Sequence, residues 1–330
     1  MTGLYQQALL DALQAGVAGL LGAWGLSPQT RLSLLCISEN ATFRADDPAR
    51  GRPLVLRVHR PGYHTLGEIH SELAWITALR EAKVLRTPRP LPTQSGELIG
   101  GFDHAGETRH VVAFEFMPGS EPDESGDLSA GFEQLGRLTA DLHRHARDWQ
   151  RPDGFERKIW NFDTTLGESH YWGDWRDAPG LSVGGASVLQ ACVERLRDEL
   201  DAYGDEANRF GLIHADLRLA NLLVDGERLA VIDFDDCGIG WYMYDFAAAI
   251  SFIETSPQIP RLRQAWVDGY RSVCPLSSED ENALPMFVML RRILLTAWIG
   301  SHAETPTAAE LGSAYTDATV ELARQYLSGS

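Results

Sequence analysis

The sequence predicts an α+β protein of two lobes: a small antiparallel-sheet lobe over residues 1–117, then a larger, mainly helical lobe over residues 118–330. Three observations predict it. Early in the chain, short apolar runs are separated by polar, Gly- and Pro-containing turns, the pattern of strands. Later, apolar residues recur at helical spacing. The 330 residues also exceed what one core usually organises.

Over residues 4 to about 24, Leu9, Leu10, Leu13, Val17, Leu20 and Leu21 recur at helical spacing, predicting an amphipathic leading helix that serves packing. Residues 32–37, 41–45 and 54–59 read as strands of a small antiparallel sheet. The stripe Leu66, Ile69, Leu73, Ile76 and Leu79 predicts one helix crossing that sheet and ending before Pro88. Two further strands fit residues 97–102 and 109–117. Pro118-Gly119 and an acidic stretch then break the pattern, which sets the lobe boundary. Beyond it, Leu128, Phe132, Leu135, Leu138 and Leu142 mark a helix ending at the basic His143-Arg144-His145. Residues 160–175 are dense in aromatics, and everything beyond Pro260 reads as helix.

Hydrophobic residues make up 44% and charged residues 23%, the composition of a soluble globular protein. A formal charge of −17 repels phosphate backbones and anionic lipid, so neither nucleic acid nor membrane is an expected partner. Cys36, Cys192, Cys237 and Cys274 have no metal spacing and read as reduced thiols, which with the lack of a signal-peptide pattern leads us to expect a cytoplasmic protein.

The chemistry concentrates in His214-Ala215-Asp216-Leu217-Arg218-Leu219-Ala220-Asn221, followed by an apolar run, Asp225-Gly226, a second apolar run and Asp233. Asp-Gly between apolar runs signals a hairpin, so residues 222–224 are expected to pair with about 228–232. Folding back at Gly226 would bring Asn221 and Asp233 to the same open end, where an amide oxygen and a carboxylate can share a hard cation such as Mg2+. Asp216, on the loop entering the first strand, reaches the same spot and is left free as a base. Asp235 is a further carboxylate near that opening.

H-x-D-x-x-x-x-N with an apolar hairpin and a following Asp resembles the catalytic signature of the protein-kinase-like fold, in its aminoglycoside phosphotransferase and choline kinase branch. Leu56-Arg57-Val58-His59-Arg60-Pro61-Gly62, Ser71-Glu72-Leu73-Ala74-Trp75, Ile232-Asp233-Phe234-Asp235-Asp236 and Trp172-Gly173 look similar to bacterial stress-response kinases and homoserine-kinase-like phosphotransferases. The resemblance implies ATP and Mg2+ as cofactors, Asp216 as catalytic base, His214 as loop brace, Asn221 and Asp233 as metal ligands, and Glu115 to Met117 as the hinge meeting adenine. Two departures stand out. Arg57 occupies the place of the family's phosphate-holding lysine, on an apolar strand where its charge needs a partner; Glu72 is the first candidate and Glu68 the second. Ser38, Asn40 and Thr42 stand where a glycine-rich loop would hold phosphates.

Asp245 lies only twelve residues after Asp233, too close for a long activation segment, and reads as a helix-start cap or catalytic-loop brace. Cys237 reads as inert packing. Trp160, Tyr171, Trp172 and Trp175 could line an acceptor pocket or simply pack, while Arg291, Arg292 and His302 read as surface residues in preference to acceptor contacts. The expected activity is phosphate transfer from ATP to a hydroxyl of a small amine, amino acid or sugar-like compound. A protein Ser/Thr kinase of the stress-response type and a catalytically weak nucleotide-binding pseudokinase are the alternatives.

Overall fold

The computed structural model describes residues 7–37, 40–303 and 305–329. They form two compact units, the first running to Gly119 and taking in Arg151–Glu156, the second comprising Ser120–Gln150 and the chain from Arg157 onward.

In the first unit, α1 (Gln7–Leu20) gives way to a 3-10 turn at Leu21–Trp24, closed by Gly25 at φ 67°. The strands β1 (Arg31–Ile37), β2 (Ala41–Asp46), β3 (Leu54–Val58), β4 (Pro90–Leu91), β5 (Ile99–His104) and β6 (Glu107–Glu115) make one antiparallel sheet in the order β1-β2-β3-β6-β4, with β5 also paired to β6. Side chains alternate across a strand, so Leu54, Leu56 and Val58 share one face and Arg57 the other. That first face meets Leu13, Val17 and Trp24 in a single apolar cluster. Each such buried side chain contributes about 1.5–3 kcal/mol, which fixes the leading helix against the sheet.

The helix α2 (Leu66–Glu81) begins with a capping box: Glu68 N–H donates to Thr65 Oγ1 (3.0 Å) and Thr65 N–H to Glu68 Oε2 (2.8 Å). Glu68 is thereby consumed as a cap. Nothing in the sequence announced the return of Arg151–Glu156 to this unit. It is made by polar contacts, with Glu156 N–H donating to Ser71 Oγ at 2.9 Å and Thr65 Oγ1 donating to Glu156 Oε1 at 2.8 Å.

The second unit holds the helices α3 (Ser129–Asp148), α4 (Phe162–Thr165), α5 (Val183–Tyr203), α6 (Tyr244–Ala249), α7 (Ile259–Arg271), α8 (Ser278–Ser301) and α9 (Pro306–Ser328). A three-stranded sheet joins β7 (Ile159–Trp160) and β8 (Phe210–Ile213) to either side of β11 (Gly238–Trp241), and β9 (Leu222–Asp225) with β10 (Arg228–Val231) forms a separate hairpin. The helix α3 runs past the expected end at His143-Arg144-His145 to Asp148, because His143 is an interior residue and not a terminal charge. It lies almost backbone to backbone with α7: a Cβ on Gly136 would sit 2.0 Å from Trp266 O, and one on Gly269 2.0 Å from Glu133 O.

Candidate active site

The chain leaves β8 into His214, Ala215 and Asp216, with Ala215 in the left-handed region at φ 66°. A non-glycine residue there costs about 1–2 kcal/mol, so its surroundings must hold it. Asp245, in the first turn of α6, does so by accepting Ala215 N–H on Oδ1 (2.7 Å) and His214 N–H on Oδ2 (3.2 Å). Behind it stands His143, whose Nε2 lies 2.9 Å from Asp245 Oδ2 and whose Nδ1 lies 3.1 Å from the Tyr270 hydroxyl. Burial pushes the His143 imidazole below its ordinary 6.5, against the opposing pull of Asp245. Of the two readings of Asp245 the loop brace holds; it is not the helix cap, since Met243 occupies that position without a side-chain cap bond and the Asp245 carboxylate is spent on the loop.

Asp216 was expected to be free, and it is not. Arg291 donates to its Oδ1 at 2.5 Å, while Asn221 Nδ2 (2.6 Å) and Arg218 Nε (3.2 Å) donate to its Oδ2. A carboxylate buried to 9% exposure cannot be left without partners. Burial drives its pKa upward, but Arg218, Arg291 and His214 outweigh that and hold it below the ordinary carboxylate value. His214 Nδ1 accepts the Asp216 N–H at 3.3 Å, and the imidazole packs on Phe234 with ring centres 4.4 Å apart.

The hairpin has the expected form, with Leu222 opposite Val231 and Asp225 opposite Arg228. One further bond, Ile232 N–H to Asn221 O at 2.9 Å, extends pairing past the strands and sets Asn221 beside the residues leading to Asp233. Asp233 is exposed and adopts φ 61°, a turn into the left-handed region that Asp tolerates better than most residues. The negative charges of Asp216 and Asp233 both raise the Arg218 pKa, against the lowering effect of its burial. Asn221 Nδ2 is committed to Asp216, which leaves Oδ1 as the atom the amide can offer a cation. Hard oxygen donors of this kind fit Mg2+. Asp235, by contrast, is buried, and its backbone carbonyl accepts from Arg157. Cys237 is wholly buried, and its carbonyl accepts from Arg157 Nε at 2.6 Å.

The surface placement read for Arg291, Arg292 and His302 is wrong. All three are buried, the arginines at 2% exposure each, because α8 is the core helix of this unit. Arg292 pairs with Glu254 at 2.5 Å and donates to Thr319 Oγ1 at 2.9 Å. Trp160, Trp172 and Trp175 are buried, with Trp160 edge-on to both Tyr171 and Trp172 at 5.3 Å. The Arg291 guanidinium lies 4.9 Å from the Trp172 ring centre. Adjacent arginines inside an apolar helical run were the one sequence signal that pointed to Arg291, since buried charge demands a partner.

In the first unit Arg57 NH2 donates to Glu72 Oε2 at 2.5 Å. Asn40 Oδ1 accepts the Arg60 N–H at 3.2 Å, and Thr42 lies on β2 opposite Arg57. Glu115 closes β6, its carboxylate paired with Arg89 at 2.6 Å and Arg80 at 3.6 Å, and Met117 follows, half-buried. Ser38 lies outside the described residues.

A five-strand antiparallel path with one crossing helix in one unit, and a base loop, hairpin and helices in the other, define the protein-kinase-like fold of the aminoglycoside phosphotransferases. Residues 38–280 match the family model described as "Phosphotransferase enzyme family", and the chain belongs to that family. It is similar to a solved structure of a microcompartment-associated aminopropanol kinase, at 44% identity over 95% of this chain and 97% of that one, with a TM-score of 0.88. An uncharacterised protein of Deinococcus radiodurans is 30% identical over 84% of this chain and 79% of its own length. An amicoumacin kinase solved with AMP-PNP, Ca2+ and its antibiotic shares the fold at 19% identity, 96% coverage of both chains and a TM-score of 0.78. The chain is accordingly an enzyme of the kinase type.

Proposed function

We propose that this enzyme transfers the terminal phosphoryl group of ATP to the hydroxyl of a small amino alcohol, with Mg2+ as its cation. The observation that carries the reading is the gathering of Asp216, Asn221 and Asp233 at the open end of one hairpin. The similarity to the aminopropanol kinase supports that choice of acceptor class.

Asp216, ionised and fixed by its donors, orients the acceptor hydroxyl and accepts its proton as the bond to phosphorus forms. Asn221 Oδ1 and Asp233 would hold Mg2+, which when bound neutralises charge on the phosphate oxygens. Arg218, a third exposed and drawn to both carboxylates, presents a fixed cation to the same oxygens. His214 and Asp245 keep the loop in its strained form. In the first unit, Arg57 would meet the nucleotide phosphates, with Glu72 holding its guanidinium, Asn40 would serve the phosphate turn, and the backbone of Glu115 and Met117 would meet the adenine.

Between Asp233 and Asp245 the chain forms β11 at once, which speaks against a regulated protein kinase. Purified protein with Mg-ATP should phosphorylate one or more amino alcohols from a panel, and Asp216→Asn should abolish turnover. Unchanged turnover in that variant, or phosphate incorporated only into protein substrates, would refute the proposal.

A further inference from the structure

Resting on that reading, we infer that Arg291 is the positioning residue of the catalytic base, and that Trp172, stacked on its guanidinium, ties the base's orientation to the aromatic segment over residues 160–175.

The guanidinium of Arg291 is committed on every side. Its NH2 binds Asp216 Oδ1 (2.5 Å), NH1 binds Ala215 O (3.3 Å) and the Tyr244 hydroxyl (3.2 Å), and Nε binds Ser251 Oγ (3.1 Å). One planar group therefore grips both the carboxylate and the strained residue before it. Arg218, the other cation on Asp216, makes a single contact with it and keeps a third of its side chain exposed, so it cannot fix a direction in the same way.

The open face of the Arg291 fork carries Trp172, and Ser301, further along the same helix, donates to Trp172 O at 2.6 Å. Helix α8 thus holds the base and the aromatic segment with one rigid edge. Because the indole lies 4.9 Å from the guanidinium that binds Asp216, an acceptor hydroxyl seated on that carboxylate would lie near Trp172. Displacement of the indole would tilt the fork, and tilt of the fork would turn Asp216.

The test separates orientation from bulk folding. Arg291→Lys keeps the charge but loses the fork, and should lower kcat about 100-fold while KM for ATP and the melting temperature stay near wild type. Arg291→Ala should be lower still and recover part of kcat in added guanidine or methylguanidine, whereas Asp216→Asn should recover none. Trp172→Leu should raise KM for the acceptor and lower kcat, and its combination with Arg291→Lys should fall short of the product of the single effects. A folded Arg291→Lys with wild-type kcat, or a loss of ATP binding matching the loss of kcat, overturns the inference, as does simple multiplicativity with Trp172→Leu. Absence of turnover in the wild type refutes the kinase reading alone. In that case crystals of Arg291→Lys still decide: an Asp216 carboxylate in its original direction overturns the positioning role.

Discussion

Arg57 on β3 and Glu72 on α2 form a 2.5 Å ion pair with side chains only 6% and 0% exposed, a buried charged link between the sheet and the crossing helix. Only one carboxylate oxygen takes part; Glu72 Oε1 has no hydrogen-bond partner among the described residues. Removing one member of such a pair strands the other in the interior. Glu72→Ala should cost about 3–5 kcal/mol, read as a lower urea midpoint at unchanged slope. Glu72→Gln, which keeps an acceptor, should cost less.

The α3–α7 crossing makes a sharper prediction about packing. Gly136 has no room for a methyl group, since the added carbon would lie 2.0 Å from the Trp266 carbonyl oxygen, which is backbone and cannot swing away. Gly136→Ala should raise helix propensity yet destabilise the protein by roughly 1–3 kcal/mol or more through overpacking. A thermal melt at or above that of the wild type would show that the helices can separate at little cost.

Where one strong local rule acts, the sequence is legible. Asp-Gly between apolar runs foretold the β9–β10 hairpin, and a charge on an apolar strand foretold the Arg57–Glu72 pair. The sequence is silent where contacts are long-range. The strands β7, β8 and β11 are two to four residues long and pair with partners far away in the chain, so no local pattern marks them. Arg291 lies 75 residues from Asp216 and His143 102 residues from Asp245, and each looks polar enough for the surface until its partner is known. Asp216 reads as free partly for the same reason: Arg291 comes from 75 residues away, although Arg218 and Asn221 are close neighbours in the chain.

His143 gives the protein an acid-sensitive point. Buried between Asp245 and Tyr270, with Arg147 also acting on it, its pKa is held below 6.5, so the unfolded chain takes up that proton more readily. Its contribution to stability is complete above about pH 6.5 and is lost as pH falls below that value. His143→Gln should lower stability at pH 7.5 and flatten the decline between pH 6.5 and 5, as measured by chemical denaturation at each pH. An unaltered slope would mean that other groups govern the acid limb.

Asn221 and Asp233 should fail in different ways, because Asn221 is a direct hydrogen-bond donor to the base while Asp233 is an exposed carboxylate. Asn221 Nδ2 donates to Asp216 Oδ2 at 2.6 Å, and replacing it by a carboxylate puts two like charges at hydrogen-bond distance. They cannot both ionise, so one must take up a proton. Asn221→Asp therefore keeps an oxygen for the cation but spoils the base, and kcat should fall by about 100-fold or more even at saturating Mg2+. Asp233 is exposed at the open end of the hairpin, so Asp233→Asn should chiefly raise the Mg2+ concentration needed for half-maximal rate. Titrating Mg2+ at fixed ATP separates the two: a loss in Asn221→Asp that excess Mg2+ repairs would assign that residue to the metal alone.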